Sequence, residues 1–275
     1  MRWHYAAAVA VLVVTAGCTS LAGVGERPAE TVTPAPVPTA AAAPPVLPPG
    51  ISEDGLHSAR TLSTAHRDAL ANRSYTMHER YVATRTRNNE TTTTLRRNET
   101  TVVSGVRTYR HDLERVRTSA DGNRTEYRQS TYGDGEQWYE RRATDGSVTY
   151  RGGEIRFGRD QYAYETAFYV DRYLVTNETW TARVQRDGRQ YVRLVGAGGS
   201  PPWASLLSEP ETYRVALLVD ATGLVYRMDI RYVTASEEIR YSFRYERIDA
   251  TTVEPPAWLG EAKAQVAAAN ETDSD

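Results

Sequence analysis

The sequence predicts an α+β protein made mainly of antiparallel β-strands. Helical spacing of apolar residues is confined to three segments, Asp-Gly pairs recur between β-favouring stretches, and the late segments alternate apolar with charged residues. The chain has 275 residues, of which 40% are hydrophobic and 25% charged, enough for one large or two ordinary globular domains. This composition excludes a fibrous or generally disordered protein.

The first element of the folded part is a predicted amphipathic helix over residues 56–71. Apolar side chains recur there at steps of three and four, from Leu56 to Leu70, which places them on one helical face. We expect the helix to end near Asn72.

After this helix the pattern changes to that of an antiparallel meander. Four Asp-Gly pairs lie between β-favouring stretches and predict tight hairpin turns. The pairs are Asp121-Gly122, Asp134-Gly135, Asp145-Gly146 and Asp187-Gly188. Residues 75–116 carry few apolar side chains on either face, so we expect them to form a weakly buried part of the sheet.

The clearest strands are predicted late in the chain. Residues 213–219, 224–232 and 239–245 alternate apolar and polar side chains with a period of two, so one face of the sheet should be covered and the other wet. In the middle one of these strands, Leu224, Tyr226, Met228, Ile230 and Tyr232 are expected to share the covered face.

Two further helices complete the predicted fold. Apolar residues at helical spacing predict a helix inserted at residues 161–174. A Gly/Pro-rich connection over residues 196–209 follows later, and Pro255-Pro256 precede a last short helix over residues 257–268.

The N-terminus resembles that of a secreted lipoprotein. A basic start and an apolar run over residues 6–16 precede Ala16-Gly17-Cys18, an arrangement similar to a lipobox, which implies a signal peptide over residues 1–17 and lipidation of Cys18. Residues 18–50 form a Pro/Ala/Thr-rich disordered stalk that could extend to roughly 100 Å. Cys18 is the only cysteine, so the chain has neither an internal disulfide nor a multi-cysteine metal site.

Glycosylation of the surface is a second prediction. Six of the seven asparagines begin an Asn-x-Ser/Thr triplet, far more than chance would give, and this favours exposure to a glycosylating secretion route. The candidate acceptors are Asn72, Asn89, Asn98, Asn123, Asn177 and Asn270.

The order of elements resembles the LolA and LppX type of lipoprotein-carrier fold, over residues 51–260, with residues 261–275 forming the end of the last helix and an acidic tail. That resemblance implies a strongly curved, open half-barrel with helices and loops on its concave face. The stalk, the Val219–Val225 turn and the Pro-Pro-Ala-Trp-Leu ending also look like cell-surface lipoproteins of haloarchaea, as does the use of arginine in all but one basic position.

No catalytic, metal or cofactor site is predicted. The histidines of the mature chain, His57, His66, His78 and His111, have no metal-ligand spacing, and no Gly-x-Ser-x-Gly or complete phosphate-binding motif occurs. With 33 basic and 35 acidic residues, the net charge of −2 also argues against nucleic acid as a partner.

The sequence therefore favours a non-enzymatic, lipid-anchored protein on the extracellular face of the membrane, which binds a lipid or another hydrophobic molecule. The expected cavity or lid residues are Trp203, Leu206, Leu207, Tyr226, Met228, Ile230, Tyr241 and Phe243. Alternatively, the five strand residues simply fill the core, and the protein is a structural or interaction glycoprotein of the envelope with envelope proteins as partners. A surface hydrolase is the second alternative, and the oligomeric state stays open.

Overall fold

The computed structural model describes residues 46–156, 160–200 and 210–272. The signal peptide, Cys18, most of the stalk and the predicted lid residues Trp203, Leu206 and Leu207 lie outside them. The described strands are β1 Ile51–Ser52, β2 Gly55–Leu56, β3 Tyr75–Arg87, β4 Glu90–Gly105, β5 Thr108–Thr118, β6 Arg124–Asp134, β7 Gln137–Thr144, β8 Ser147–Glu154, β9 Glu178–Arg186, β10 Arg189–Ala197, β11 Thr212–Val219, β12 Val225–Val233 and β13 Glu237–Glu246. The helices are α1 Ala59–Leu70, α2 Gln161–Tyr173 and α3 Leu259–Thr272.

One antiparallel sheet of 11 strands dominates the structure. Its order is β8-β7-β6-β5-β4-β3-β13-β12-β11-β10-β9, so two meanders meet where β3 pairs with β13. The two edge strands, β8 and β9, are not hydrogen-bonded to each other, and the sheet is therefore an open, curved, barrel-like structure. This confirms the predicted fold class.

The hairpin turns are where the sequence predicts them. Each of the four Asp-Gly pairs lies at a connection between neighbouring antiparallel strands. At Asp145-Gly146 and Asp187-Gly188 both residues have positive φ, as a type I′ turn requires. Local turn chemistry thus sets the register of these hairpins.

The first helix begins later than predicted. Leu56 belongs to β2, where its backbone N–H donates to Thr179 Oγ1 at 2.9 Å, and α1 begins only at Ala59. Ser58 caps the helix, because its side-chain oxygen accepts a hydrogen bond from the backbone N–H of Thr61. The cap, not the apolar period, fixes this helix start.

The prediction of weak burial for residues 75–116 is wrong for β3 and for the end of β4. Strand β3 lies at the centre of the sheet between β4 and β13, and Tyr75, Met77 and Val103 are buried. Two polar side chains, Glu79 and Thr101, are buried beside them, which explains why the sequence pattern understates the burial of this region.

Helix α2 crosses the concave face from the β8 edge to the β9 edge and packs against α1. Asp160 caps it by accepting hydrogen bonds from the backbone N–H groups of Tyr162 and Ala163, and Tyr75 donates its hydroxyl to the same carboxylate at 2.7 Å. A cap of this kind is worth about 1 kcal/mol. The cap therefore ties the start of α2 to the central strand.

Helix α3 departs from the expectation that the helices share the concave face. It packs on the outer face of β7 and β8, where Glu261 accepts a hydrogen bond from the Tyr150 hydroxyl at 2.8 Å and Lys263 lies over the Tyr139 ring. It also extends further than predicted, to Thr272. The outward-facing rings of Tyr139 and Tyr150 supply the surface that it covers.

Candidate functional site

Four of the predicted cavity residues lie in the packed core. Met228, Ile230, Tyr241 and Phe243 are at most 3% exposed. The Tyr241 ring stacks on Tyr173 of α2, with 5.6 Å between ring centroids. The helices therefore cover this half of the sheet, and these four side chains pack in the hydrophobic core.

Tyr226 is displaced from that group by a β-bulge. The pairing of β11 with β12 shifts in register after Leu218, so that Val225 is fully buried and Tyr226 only half-buried. Its ring meets Tyr191 edge to face at 5.2 Å, and Arg189 donates to its hydroxyl at 3.4 Å. The expectation that Tyr226 shares the face of Met228 fails because a bulge breaks the alternation of sides.

His66 of α1 is a structural core residue. Its Nδ1 accepts the backbone N–H of Val225 at 3.2 Å, so Nε2 carries the proton and donates to Thr166 Oγ1 at 3.1 Å. Thr166 also lies 2.7 Å from the Tyr245 hydroxyl. This network joins both helices to β12 and β13, and burial lowers the pKa of His66 to about 3.

An open cleft of about 700 Å³ lies on the concave face, between α2 and strands β5 to β8. It is a different region from the one that the sequence suggested. Its lining combines aromatic, carboxylate and amide side chains: Val106, Tyr109, His111, Gln129, Thr131, Trp138, Glu140, Gly153, Glu154, Ile155, Arg156, Gln161, Tyr162 and Glu165.

Aromatic rings and glycines alternate along the floor of this cleft. The strand register places Tyr109 opposite Gly133, Gly133 opposite Trp138, and Trp138 opposite Gly153. A Cβ atom added at Gly133 would lie 2.6 Å from the Tyr109 ring, and one at Gly153 would lie 3.2 Å from the Trp138 ring. The glycines thus leave room for the rings to lie across the strands.

A polar row lies beside the aromatic row, because His111, Thr131 and Glu140 are register partners on β5, β6 and β7. Glu140, which is buried, accepts a hydrogen bond from Gln129 at 2.7 Å and pairs with Arg142 at 2.5 Å. On α2, Glu165 accepts the Tyr169 hydroxyl at 2.7 Å. The cleft is amphipathic, because a row of rings and a row of hydrogen-bonding groups lie next to each other on its floor.

Two carboxylates lie side by side in the sheet next to the cleft. Glu79 and Glu99 are register partners on β3 and β4. Burial raises the pKa of Glu79 to about 7, and the Glu99 charge adds to the rise, although a hydrogen bond from Tyr241 opposes it. Burial would also raise the pKa of Glu99, but its hydrogen bond to His111 and the Arg97 charge hold that pKa below its usual value.

The charges of the pair are therefore divided between the two residues. Glu99 is ionised and held by two basic side chains, whereas Glu79 takes up a proton near neutral pH. Among residues 46–156, 160–200 and 210–272, no three His, Cys, Asp or Glu side chains cluster as a metal site would require.

Four of the six predicted glycosylation sites lie at exposed loops, turns or helix ends. Asn72 follows α1, Asn89 lies in the turn between β3 and β4, and Asn123 lies in the turn between β5 and β6. Asn177 is exposed before β9, whereas Asn98 is half-buried within β4. Asn270 lies in α3.

Sequence reasoning missed the cleft residues. Tyr109, His111 and Trp138 lie on strands that look weakly apolar, and only the register brings them together. One signal was present: Gly133 and Gly153 lie inside strands, where glycine marks a close approach of another group. In the part of the chain that is described, no helix has the length and apolar character needed to span a bilayer.

The fold and the cleft together define an open, curved antiparallel β-sheet protein with a space of ligand size on its concave face. No protein-family model matches the chain, and no curated protein matches it. Among solved structures it is similar to a β-barrel-like protein of the domain of unknown function DUF1849 from Brucella abortus, with 9% identity and a TM-score of 0.26, over 66% of this chain and 100% of that one. It is also similar to a putative outer membrane lipoprotein-sorting protein domain from Vibrio parahaemolyticus, with 10% identity and a TM-score of 0.22, over 71% of this chain and 93% of that one. At these TM-scores neither structure assigns a family.

Proposed function

We propose that this protein is a lipid-anchored, non-enzymatic surface protein that holds an amphipathic molecule in its concave cleft. The observation that carries the proposal is the cleft between α2 and strands β5 to β8. Its volume of about 700 Å³ falls in the range of small-molecule sites, roughly 300 to 1,000 Å³.

The chemistry of the cleft favours a ligand with one apolar and one polar part. The rings of Tyr109, Trp138 and Tyr162 would bury an apolar body, while Gln129 and Glu165 would bind hydroxyl, amide or amine groups. Tyr109 and Tyr162 meet edge to face at 5.4 Å, and so form one continuous aromatic corner. The proposal thus narrows the hydrophobic ligand expected from the sequence to an amphipathic one.

The anchoring part of the proposal depends on the sequence. The single cysteine at the end of an apolar leader and the Pro-rich stalk favour a domain held off a membrane. Sequons at the exposed Asn72, Asn89 and Asn123 favour a glycosylated outer surface. A Cys18→Ser chain that still stayed in the membrane fraction would overturn the anchoring.

Retained ligand is the test of the binding function. The full-length protein is isolated from its native membrane in detergent, and native mass spectrometry detects noncovalently bound mass. We expect bound mass on the wild type, and its loss in Thr131→Trp, which fills the cleft from its floor. Thr149→Trp is the matched control, because Thr149 is exposed on β8 outside the cleft and belongs to no glycosylation triplet.

Two results would contradict the binding function. One is a wild-type protein without bound mass, and the other is equal bound mass in Thr131→Trp and the wild type. Either would favour the alternative of an envelope glycoprotein without a ligand, for which the filled core around Met228 and Tyr241 is the supporting observation.

A further inference from the structure

The outer face of the sheet, opposite the concave cleft, carries a groove of about 580 Å³ across β10 to β13 and β3. The strand register produces it. One row across the strands consists of the short side chains Val195, Ala216, Asp229 and Ser242, and ends at Arg80. This row forms the groove floor.

Arginines form both walls of the groove. On one side Arg214, Arg231 and Arg240 are direct register partners on three adjacent strands. On the other side Arg193 lines the groove, and Arg227 and Arg244 lie further along the same register row. All six are exposed, as is Arg80 at the end of the floor.

The groove is a positive region on a chain whose net charge is −2. Seven arginines face three carboxylates, Asp229, Glu238 and Glu246. Asp229 pairs with Arg227, Glu238 is shared by two wall arginines, and Glu246 pairs with Arg244. Within the described residues Arg80, Arg193 and Arg214 have no acidic partner, so their guanidinium groups are available to an external anion.

The shape of the groove favours a linear ligand. Neighbouring strands lie about 4.8 Å apart, so the floor from β10 to β3 is about 19 Å long. The floor row continues at its β9 end to Trp180, whose side chain is 51% exposed. An exposed indole next to the end of a basic groove offers a flat stacking surface.

The floor also indicates which polyanion fits. Two floor residues, Asp229 and Ser242, lie between the arginines. The Asp229 carboxylate accepts hydrogen bonds, and the Ser242 hydroxyl both donates and accepts them. A ligand there needs hydroxyl groups as well as negative charges. This combination belongs to an acidic polysaccharide rather than to a flat layer of lipid headgroups.

We propose that the outer groove binds a linear acidic polysaccharide, with guanidinium groups on its carboxylates or sulfates, floor groups on its hydroxyls, and Trp180 against a sugar ring. Arginine suits this role because its planar fork binds carboxylate or sulfate oxygens in pairs. The groove is separate from the concave cleft, so this proposal does not depend on the ligand proposed there.

Binding of polygalacturonate and dextran sulfate to the detergent-solubilised full chain is the test, with neutral dextran as the control polymer. We expect binding of at least one acidic polymer that weakens as salt is raised. Arg80→Gln/Arg193→Gln/Arg214→Gln should raise the Kd by about tenfold or more. The charge-matched triple Arg87→Gln/Arg117→Gln/Arg151→Gln removes exposed arginines outside the groove and should leave it within about twofold.

Ser242→Trp separates a groove from general charge attraction. It fills the floor and leaves the net charge unchanged, and should also weaken binding about tenfold or more. The proposal is overturned if neither acidic polymer binds, if the two triple variants bind equally, or if Ser242→Trp binds like the wild type. Binding to phosphatidylglycerol vesicles without binding to either polymer would overturn it in favour of a membrane contact.

Discussion

The buried imidazole of His66 makes a quantitative prediction about acid stability. The pKa of His66 is lowered to about 3 in the fold because the ring is fully buried, against 6.5 for an exposed histidine. Between these values the unfolded chain binds a proton that the native chain does not. The stabilising contribution of neutral His66 is therefore complete above pH 6.5 and is lost as the pH falls toward 3.

The magnitude follows from the difference in pKa. At pH 4.5 the pH is two units below the pKa of His66 in the unfolded chain, so the unfolded histidine is protonated while the native one is still neutral. The unfolding free energy is therefore about 3 kcal/mol lower at pH 4.5 than at pH 7.5 through His66 alone. Total stabilities are about 5 to 15 kcal/mol, and a loss of this size is readily measured.

Urea unfolding of the wild type and His66→Asn, at intervals from pH 4.5 to 7.5, is the assay. The asparagine variant should be less stable throughout, since it loses the Thr166 hydrogen bond, but its stability should fall by about 3 kcal/mol less between pH 7.5 and 4.5. His57→Asn, at an exposed position, is the control and should keep the wild-type slope. Equal slopes for the wild type and His66→Asn would refute the reasoning.

Three further predictions concern Glu79, Gly133 and the sequons. Because the pKa of Glu79 is raised in the fold, the protein loses stability as the pH rises from 4.5 through about 7. In urea unfolding, Glu79→Gln should therefore stabilise the protein by up to about 3 kcal/mol at pH 8 and by little at pH 4.5. Gly133→Ala should lower the unfolding free energy by about 1 to 3 kcal/mol in the same assay, because its Cβ would meet the Tyr109 ring. In a glycosylating host, glycopeptide mass spectrometry should find the highest occupancy at the exposed sites, namely Asn72, Asn89, Asn123 and Asn177.

Each of these has a clear contrary result. A Glu79→Gln gain that is the same at pH 4.5 and pH 8 would show that the carboxylate does not titrate near neutral pH in the fold. For Gly133→Ala, a stability equal to that of Gly105→Ala, at a site with open space and no positive φ, would remove the argument for ring packing. Higher occupancy at half-buried Asn98 than at Asn89 would contradict the exposure argument.

Elements that depend on local chemistry were predictable from the sequence. Asp-Gly turns require only the two turn residues and their flanks, and the alternation in β11 and β13 needs only one wet and one covered face. The helix α2 was also predictable, because its apolar period is local and Asp160 stands at its N-terminus. These features survive without knowledge of any distant contact.

The centre of the sheet was not predictable in this way. Strand β3 is central because β13, more than 150 residues later in the chain, pairs with its free edge. The buried Glu79 carboxylate accepts a hydrogen bond from the Tyr241 hydroxyl, which partly offsets the cost of its burial. The alternation of apolar and polar residues alone predicts weak burial for a strand with this many polar side chains. The bulge at Tyr226 is similarly invisible, since a single extra residue leaves the local composition unchanged.

The open concave cleft lies on other strands than the cavity residues predicted from the sequence. Helices α1 and α2 pack on the most apolar strand face, around Met228 and Phe243, so this face is part of the hydrophobic core. The open cleft lies where the concave face is partly polar, around Trp138 and Glu140, between these strands and α2. The outer groove likewise depends on the register that aligns Arg214, Arg231 and Arg240.

The most direct test of the proposed binding function is an experimental structure of the full-length protein isolated from its native membrane. We predict density for a non-protein molecule between α2 and strands β5 to β8, with its apolar part against Tyr109 and Trp138 and its polar part toward Gln129 or Glu165. A cleft that holds only water in this native material would contradict it.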